Sequence, residues 1–232
     1  MSRRIALILG IVLVLIVAAV AFGVWWLSGS GTPSAPITAA TLAPQDAGAT
    51  GTLFRIDPEH SEVRFIITEE LLGSPKTVVG ATNQVAGDIF VDLENLAKTQ
   101  MGEIRIDVRT LETDDENRNR SLRNLILESR QDEFEFASFK PTALSGLPET
   151  PVAVGDTITF QVTGDLTVRN ITNSVTFDVT ATLAAKDRLE GSASAGVTRE
   201  EYQLTIPKAP GVANVSDDVK LEIDFVANQV AQ

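Results

Sequence analysis

A carboxylate, an imidazole and a hydroxyl stand within five residues in Asp57-Pro58-Glu59-His60-Ser61, the inventory of a relay that activates a serine for hydrolysis. The spacing argues against that chemistry. Successive strand residues point to opposite faces, and no G-x-S-x-G elbow occurs to hold a serine strained and exposed. A turn followed by a structural histidine is the simpler reading. His60 is the single histidine and the chain has no cysteine, so His-only metal sites, zinc thiolates, iron–sulfur ligation, disulfides and thiol nucleophiles all fall away. The acidic run from Glu112 to Glu116 lacks the central glycine and position-twelve glutamate of a calcium loop, and is read as a helix cap supplied by Asp114 or Asp115. The expectation is a protein without cofactor, metal or covalent chemistry.

The elements that must position any site begin after a leader of unusual composition. Met1-Ser2-Arg3-Arg4 precedes an uncharged run from Ile5 to Leu27, twenty-three residues long. At about 1.5 Å per residue that is roughly 35 Å of helix, enough to span a bilayer with some tilt. A cleaved signal peptide normally has an apolar region of about 7 to 15 residues, so an uncleaved transmembrane anchor over residues 5–27 is expected. The arginines place residues 1–4 in the cytoplasm, and Trp25 and Trp26 fall where an interfacial belt belongs. Everything beyond is then extracytoplasmic. Residues 28–51, rich in Gly, Ser, Thr, Ala and Pro with Asp46 as their one charge, are read as a flexible linker.

Residues 52–232 carry the period of strands. Val63, Phe65 and Ile67 alternate with polar neighbours, as do Ile104, Ile106 and Val108; Ile158, Phe160, Val162, Leu166 and Val168; Val175, Phe177 and Val179; and Val219 to Phe225. With weaker runs near Val85–Val91, Phe134–Leu144 and Leu189–Val197 the count reaches about eight, in the range that closes into a barrel. One helix is expected over Glu116–Leu127, with Leu122, Leu125 and Ile126 sharing its apolar face and Arg118, Arg120 and Arg123 mostly solvated. Lys76–Gln84 is read as a loop. Asn170 and Asn173 suit the left-handed turn of a hairpin centred between Gly164 and Val179. The formal charge of −12, from nineteen basic and thirty-one acidic residues, disfavours nucleic acid as a partner.

That hairpin, Gly164-Asp-Leu-Thr-Val-Arg-Asn-Ile-Thr-Asn-Ser-Val-Thr-Phe-Asp-Val179, resembles the GdLTihGvTkpvtfdV segment of the YceI-like family. Further landmarks follow the family order. Arg55-Ile-Asp57-Pro-Glu-His60-Ser61 resembles its opening pattern, Val85–Asp92 a strand ending in aspartate, and Leu122–Phe139 its helix and next strand. Arg199 matches the arginine of a late N-R-S-D-F-G segment and Val215–Ala227 the closing strand. The chain departs from the family at Asn119 and Ser121, where an acid and a histidine are usual, and at Gln203, where glycine is usual.

The resemblance implies an all-β, antiparallel, eight-stranded lipocalin-like barrel with one short helix, which holds an isoprenoid-like or other amphiphilic lipid. Members often dimerise, so a homodimer is the protein partner it brings into view. Apolar lining candidates are Phe65, Ile67, Ile106, Leu122, Ile126, Phe136, Phe160, Val162, Leu166, Phe177, Ile223 and Phe225. The competing architecture is a barrel whose same residues fill a dry core, leaving a structural or interaction module.

Overall fold

The computed structural model describes residues 33–42 and 51–230. The expected anchor over residues 5–27 lies outside them; among the described residues no helix is long and apolar enough to cross a membrane.

One antiparallel sheet, strongly curled, makes up the domain. Its strands are β1 (Thr52–Ile56), β2 (Glu62–Leu71), β3 (Ser74–Thr82), β4 (Val85–Ala86), β5 (Asp88–Val91), β6 (Gln100–Met101), β7 (Ile104–Asp107), β8 (Phe136–Ser145), β9 (Thr157–Val168), β10 (Ile171–Ala185), β11 (Arg188–Thr198), β12 (Val212–Ala213) and β13 (Asp218–Gln229). Hydrogen bonding runs β4-β7-β8-β9-β10-β11-β13-β1-β5-β6, with β2 and β3 branching from the first half of β13. Thirteen strands therefore replace the eight expected, and Lys76–Thr82 is strand rather than loop. The excess comes largely from breaks. The turn at Pro58–His60 divides β1 from β2, and both still pair with β13. Gly87 divides β4 from β5, which turn to β7 and β1 respectively, so one short segment draws the two ends of the curl together.

The turn at Asp57 explains the motif that could have been catalytic. Asp57 caps it by accepting from Glu59 N, and its other oxygen meets His60 Nδ1 at 2.8 Å on an exposed surface. The buried Ser61 hydroxyl instead accepts from Val226 N at 3.0 Å and donates to Val226 O. It stitches β2 to β13. The His60 interaction holds the Asp57 carboxyl below its usual range, and neither ring nitrogen is hydrogen-bonded to the serine.

The helix is shorter and less regular than its pattern suggests. Helix α1 (Glu116–Ser121), capped by Asp115 accepting from Arg118 N at 2.9 Å, passes into a π turn over Leu122–Ile126. The wider turn brings Leu122 and Ile126 inward together, four residues apart, and leaves Leu125 59% exposed instead of sharing their face. Arg123 is buried and pairs with Glu116 at 3.2 Å, while Arg118 reaches the buried Glu69 at 2.8 Å; neither is simply solvated. At the β9–β10 hairpin the left-handed residue is Arg169, with φ of 56°, and Asn173 stays in the ladder opposite Leu166. A two-residue turn needs left-handed backbone between its strands, and Arg169 is held there by an ion pair to Glu128 and by stacking over Phe134.

Within the expected linker, residues 33–42 have neither helix nor strand, yet they are tied to the sheet. Ser34 donates to the buried Glu135 carboxylate through both its amide and its hydroxyl, and Leu42 N donates to the buried Asp88 at 3.1 Å. Arg105 and Arg55 reach Thr38 O and Thr41 Oγ1. Buried carboxylates require donors, and this strap supplies them, so its reach is not that of a free coil.

Candidate functional site

Alternation sends every second side chain of the long strands to the concave side. Phe65 and Ile67 come from β2, Ile106 from β7, Phe160, Val162 and Leu166 from β9, Phe177 from β10, and Ile223 and Phe225 from β13. Leu122 and Ile126 of the π turn cover them. Together these eleven candidates line a cavity of about 360 Å³, within the span of small-molecule pockets. Phe136, the twelfth, does not. Ala137 and Phe139 take the inward positions of β8, so Phe136 faces away, and the Arg105 guanidinium stacks 4.1 Å from its ring centre. Val78, Leu111, Val179, Leu183 and Leu204 also line the cavity and were not among the candidates; Val179 and Leu183 share the parity of Phe177 on β10 and could have been found from it, whereas Val78 lay in the stretch read as a loop and Leu111 and Leu204 follow short turns without period.

Two glycines decide where the rings lie. Gly80 sits directly opposite Phe65, and a Cβ there would come 2.1 Å from Phe65 Cε1. Gly191 stands opposite Phe225, and a Cβ would come 2.7 Å from Phe225 Cζ. Each ring therefore folds across a glycine of the next strand and rests against the wall, leaving the centre open. Phe177 meets Phe139 edge-on at 5.0 Å between ring centres.

The cations on the lining are already engaged. Arg64 bonds Glu62, Asp224 and Glu222, which hold its pKa above the usual range, Glu62 most strongly. Arg118 bonds Glu69 and Asp114 at 2.8 and 2.5 Å. Arg199 spends its three nitrogens on the backbone oxygens of Ser216, Leu204 and Val215. Two wall hydroxyls, Tyr202 Oη and Thr99 Oγ1, have no hydrogen-bond partner among the described residues.

Behind the helical end of the cavity lies a buried charged group. Arg109 donates from Nε to Ser129 O at 2.7 Å, pairs with Asp132 at 3.0 Å and lies 3.5 Å from Glu135. Asp107 is fully buried; it accepts from Arg109 N, but its second oxygen has no hydrogen-bond partner among the described residues. Burial pushes its carboxyl up to about 6, the Glu135 charge adding to the push and the Arg109 amide opposing it. The unfolded value is about 3.9, so between those limits the native state holds the extra proton and its stability falls as pH rises from about 4 to about 6. The loss is on the order of 3 kcal/mol from two pKa units. Urea unfolding of Asp107→Asn beside wild type should show a stability difference that moves in favour of the variant across that window and is flat above it. A parallel pair of curves would mean that Asp107 titrates normally.

A family model described as the YceI-like domain matches residues 54–227. No curated protein matches the chain. Among solved structures, a polyisoprenoid binding domain from Saccharophagus degradans, implicated in plant cell wall breakdown, is similar at 13% identity with a TM-score of 0.56, over 76% of this chain and 98% of that one. BcnA of Burkholderia cenocepacia is similar at 19% identity and a TM-score of 0.57, over 75% of this chain and 99% of its own. At those identities the likeness is one of fold.

Proposed function

The chain belongs to the YceI-like family, and from that premise we propose that it is a membrane-tethered, extracytoplasmic protein that holds an isoprenoid-like or other amphiphilic lipid in its chamber without covalent chemistry. The observation that carries the reading is the cavity of about 360 Å³ whose wall is almost wholly aliphatic and aromatic. A polyisoprenoid-binding relative of the same fold supports it. Burying a prenyl chain contributes about 0.8 kcal/mol per CH₂ against water but little against a bilayer, so cargo can be taken up and returned. A tether at residues 5–27 would keep the chamber beside the lipid source.

Native mass spectrometry of the full-length protein released from micelles, followed by organic extraction, tests the ligand. A stoichiometric prenyl lipid is the expected result; a protein that arrives empty and refuses added prenyl lipids would leave the solid-barrel module standing. Topology is read separately, since a chain without cysteine accepts single reporters. Lys186→Cys, on the exposed β10–β11 turn, should react in intact cells with a maleimide that cannot cross membranes. Ser2→Cys should react only after lysis. The reverse pattern would put the barrel in the cytoplasm.

A further inference from the structure

We propose that Tyr202 anchors the head of the bound lipid, its phenol donating a hydrogen bond to a neutral, oxygen-bearing end group, a carbonyl above all. The assignment rests on the lipid-binding reading and specifies which lipids the chamber prefers. Tyr202 closes a short 3₁₀ turn, Glu200–Tyr202, which follows β11 and packs on β10. It is 2% exposed, lines the cavity, and its Oη has no partner among the described residues. The nearby Asn173 amide NH2 donates to Glu201 O at 2.8 Å, which fixes its orientation, and toward Tyr202 it acts as a donor that lowers the phenol's pKa; an NH2 cannot accept, so the O–H hydrogen of Tyr202 has no acceptor among the described residues. Burial pushes the phenol up to about 12, which keeps it a donor at any physiological pH.

An unmade hydrogen bond in an apolar wall is costly, and a ligand that completes it recovers that cost. Water is a poor substitute, because a buried water needs two to four polar partners and the wall here is apolar. The complementary argument comes from charge. Arg64, Arg118 and Arg199 are each committed to carboxylates or backbone oxygens, so a phosphate or diphosphate head would enter without a free cation in a chain of net charge −12. A neutral acceptor fits both conditions. Thr99 presents the other unpaired wall hydroxyl, but on a half-buried residue.

The test is titration of the full-length protein in micelles with three probes of equal chain length: the ketone geranylgeranylacetone, a tetraprenyl hydrocarbon, and geranylgeranyl diphosphate. Wild type should bind the ketone about three- to tenfold more tightly than the hydrocarbon and more tightly than the diphosphate. Tyr202→Phe should bind the ketone only as well as the hydrocarbon, with hydrocarbon affinity unchanged. Infrared spectra should show the bound ketone's carbonyl stretch lowered in wild type and not in the variant, a signature that mere packing does not produce. Phenylalanine is the residue of the family pattern at this place, so the variant is expected to fold. A preference that survives Tyr202→Phe, or that is abolished by Thr99→Val instead, overturns the anchor. Hydrocarbon binding without any ketone advantage overturns the anchor alone; no binding of either chain overturns the lipid-binding reading with it.

Discussion

Ala193→Phe is expected to cost about a hundredfold in affinity for a prenyl lipid while leaving the unfolding free energy within about 1 kcal/mol of wild type. Ala193 lines the chamber from β11, paired with Val179 on one side and Ile223 on the other. A phenyl group projected from there occupies the space of three or four methylene units of ligand. At about 0.8 kcal/mol each that is close to 3 kcal/mol, or two powers of ten. In a filled core the same substitution forces neighbours off their rotamers and costs about 1–3 kcal/mol. Binding and denaturant unfolding measured on one preparation therefore separate the two architectures. Lost binding with retained stability identifies a hollow barrel; a destabilised protein identifies a dry core.

Phe54→Ala should lower stability by about 3–5 kcal/mol, the cost of a large cavity in a packed interior. Phe54 is 0% exposed, sits in β1 between Gln229 of β13 and Ile89 of β5, and lies off the chamber wall. For a domain of this size the melting temperature should fall by roughly 6 to 20 °C. Phe160→Ala is the paired control. Its ring faces the cavity and lacks neighbours on that side, so truncation should cost less than half as much. Calorimetry that finds equal losses would mean the chamber is collapsed in solution.

Much of the site was legible from strand parity. Within a strand the inward and outward positions are settled once one residue is assigned, so Phe160, Val162 and Leu166 on β9, or Ile223 and Phe225 on β13, follow from local alternation. Phe136 shows where parity fails. It was assigned from a weak run with no clear start, and Phe139, three residues on, necessarily lies on the opposite face; the ladder to β7 is what selects Phe139.

Tyr202 was invisible for a different reason. It stands in a turn without period, and its significance comes from the acceptor it lacks, which is a property of its surroundings.

The sequence by itself determined the antiparallel all-β class, the inward faces of the long strands, the β9–β10 hairpin, the helix start at Glu116 and the exclusion of thiol and His-only metal chemistry. Each depends on residue identity or on contacts a few positions apart. The tertiary structure alone decided that the sheet breaks at Gly87 and at the Asp57 turn, that the helix widens at Leu122, that residues 33–42 are strapped to Glu135 and Asp88, and that the rings fold aside over Gly80 and Gly191. These outcomes are set by partners up to 171 residues distant along the chain, as Asn228 is from Asp57. Whether a barrel is hollow is a balance of volumes across it, and no local pattern encodes such a sum.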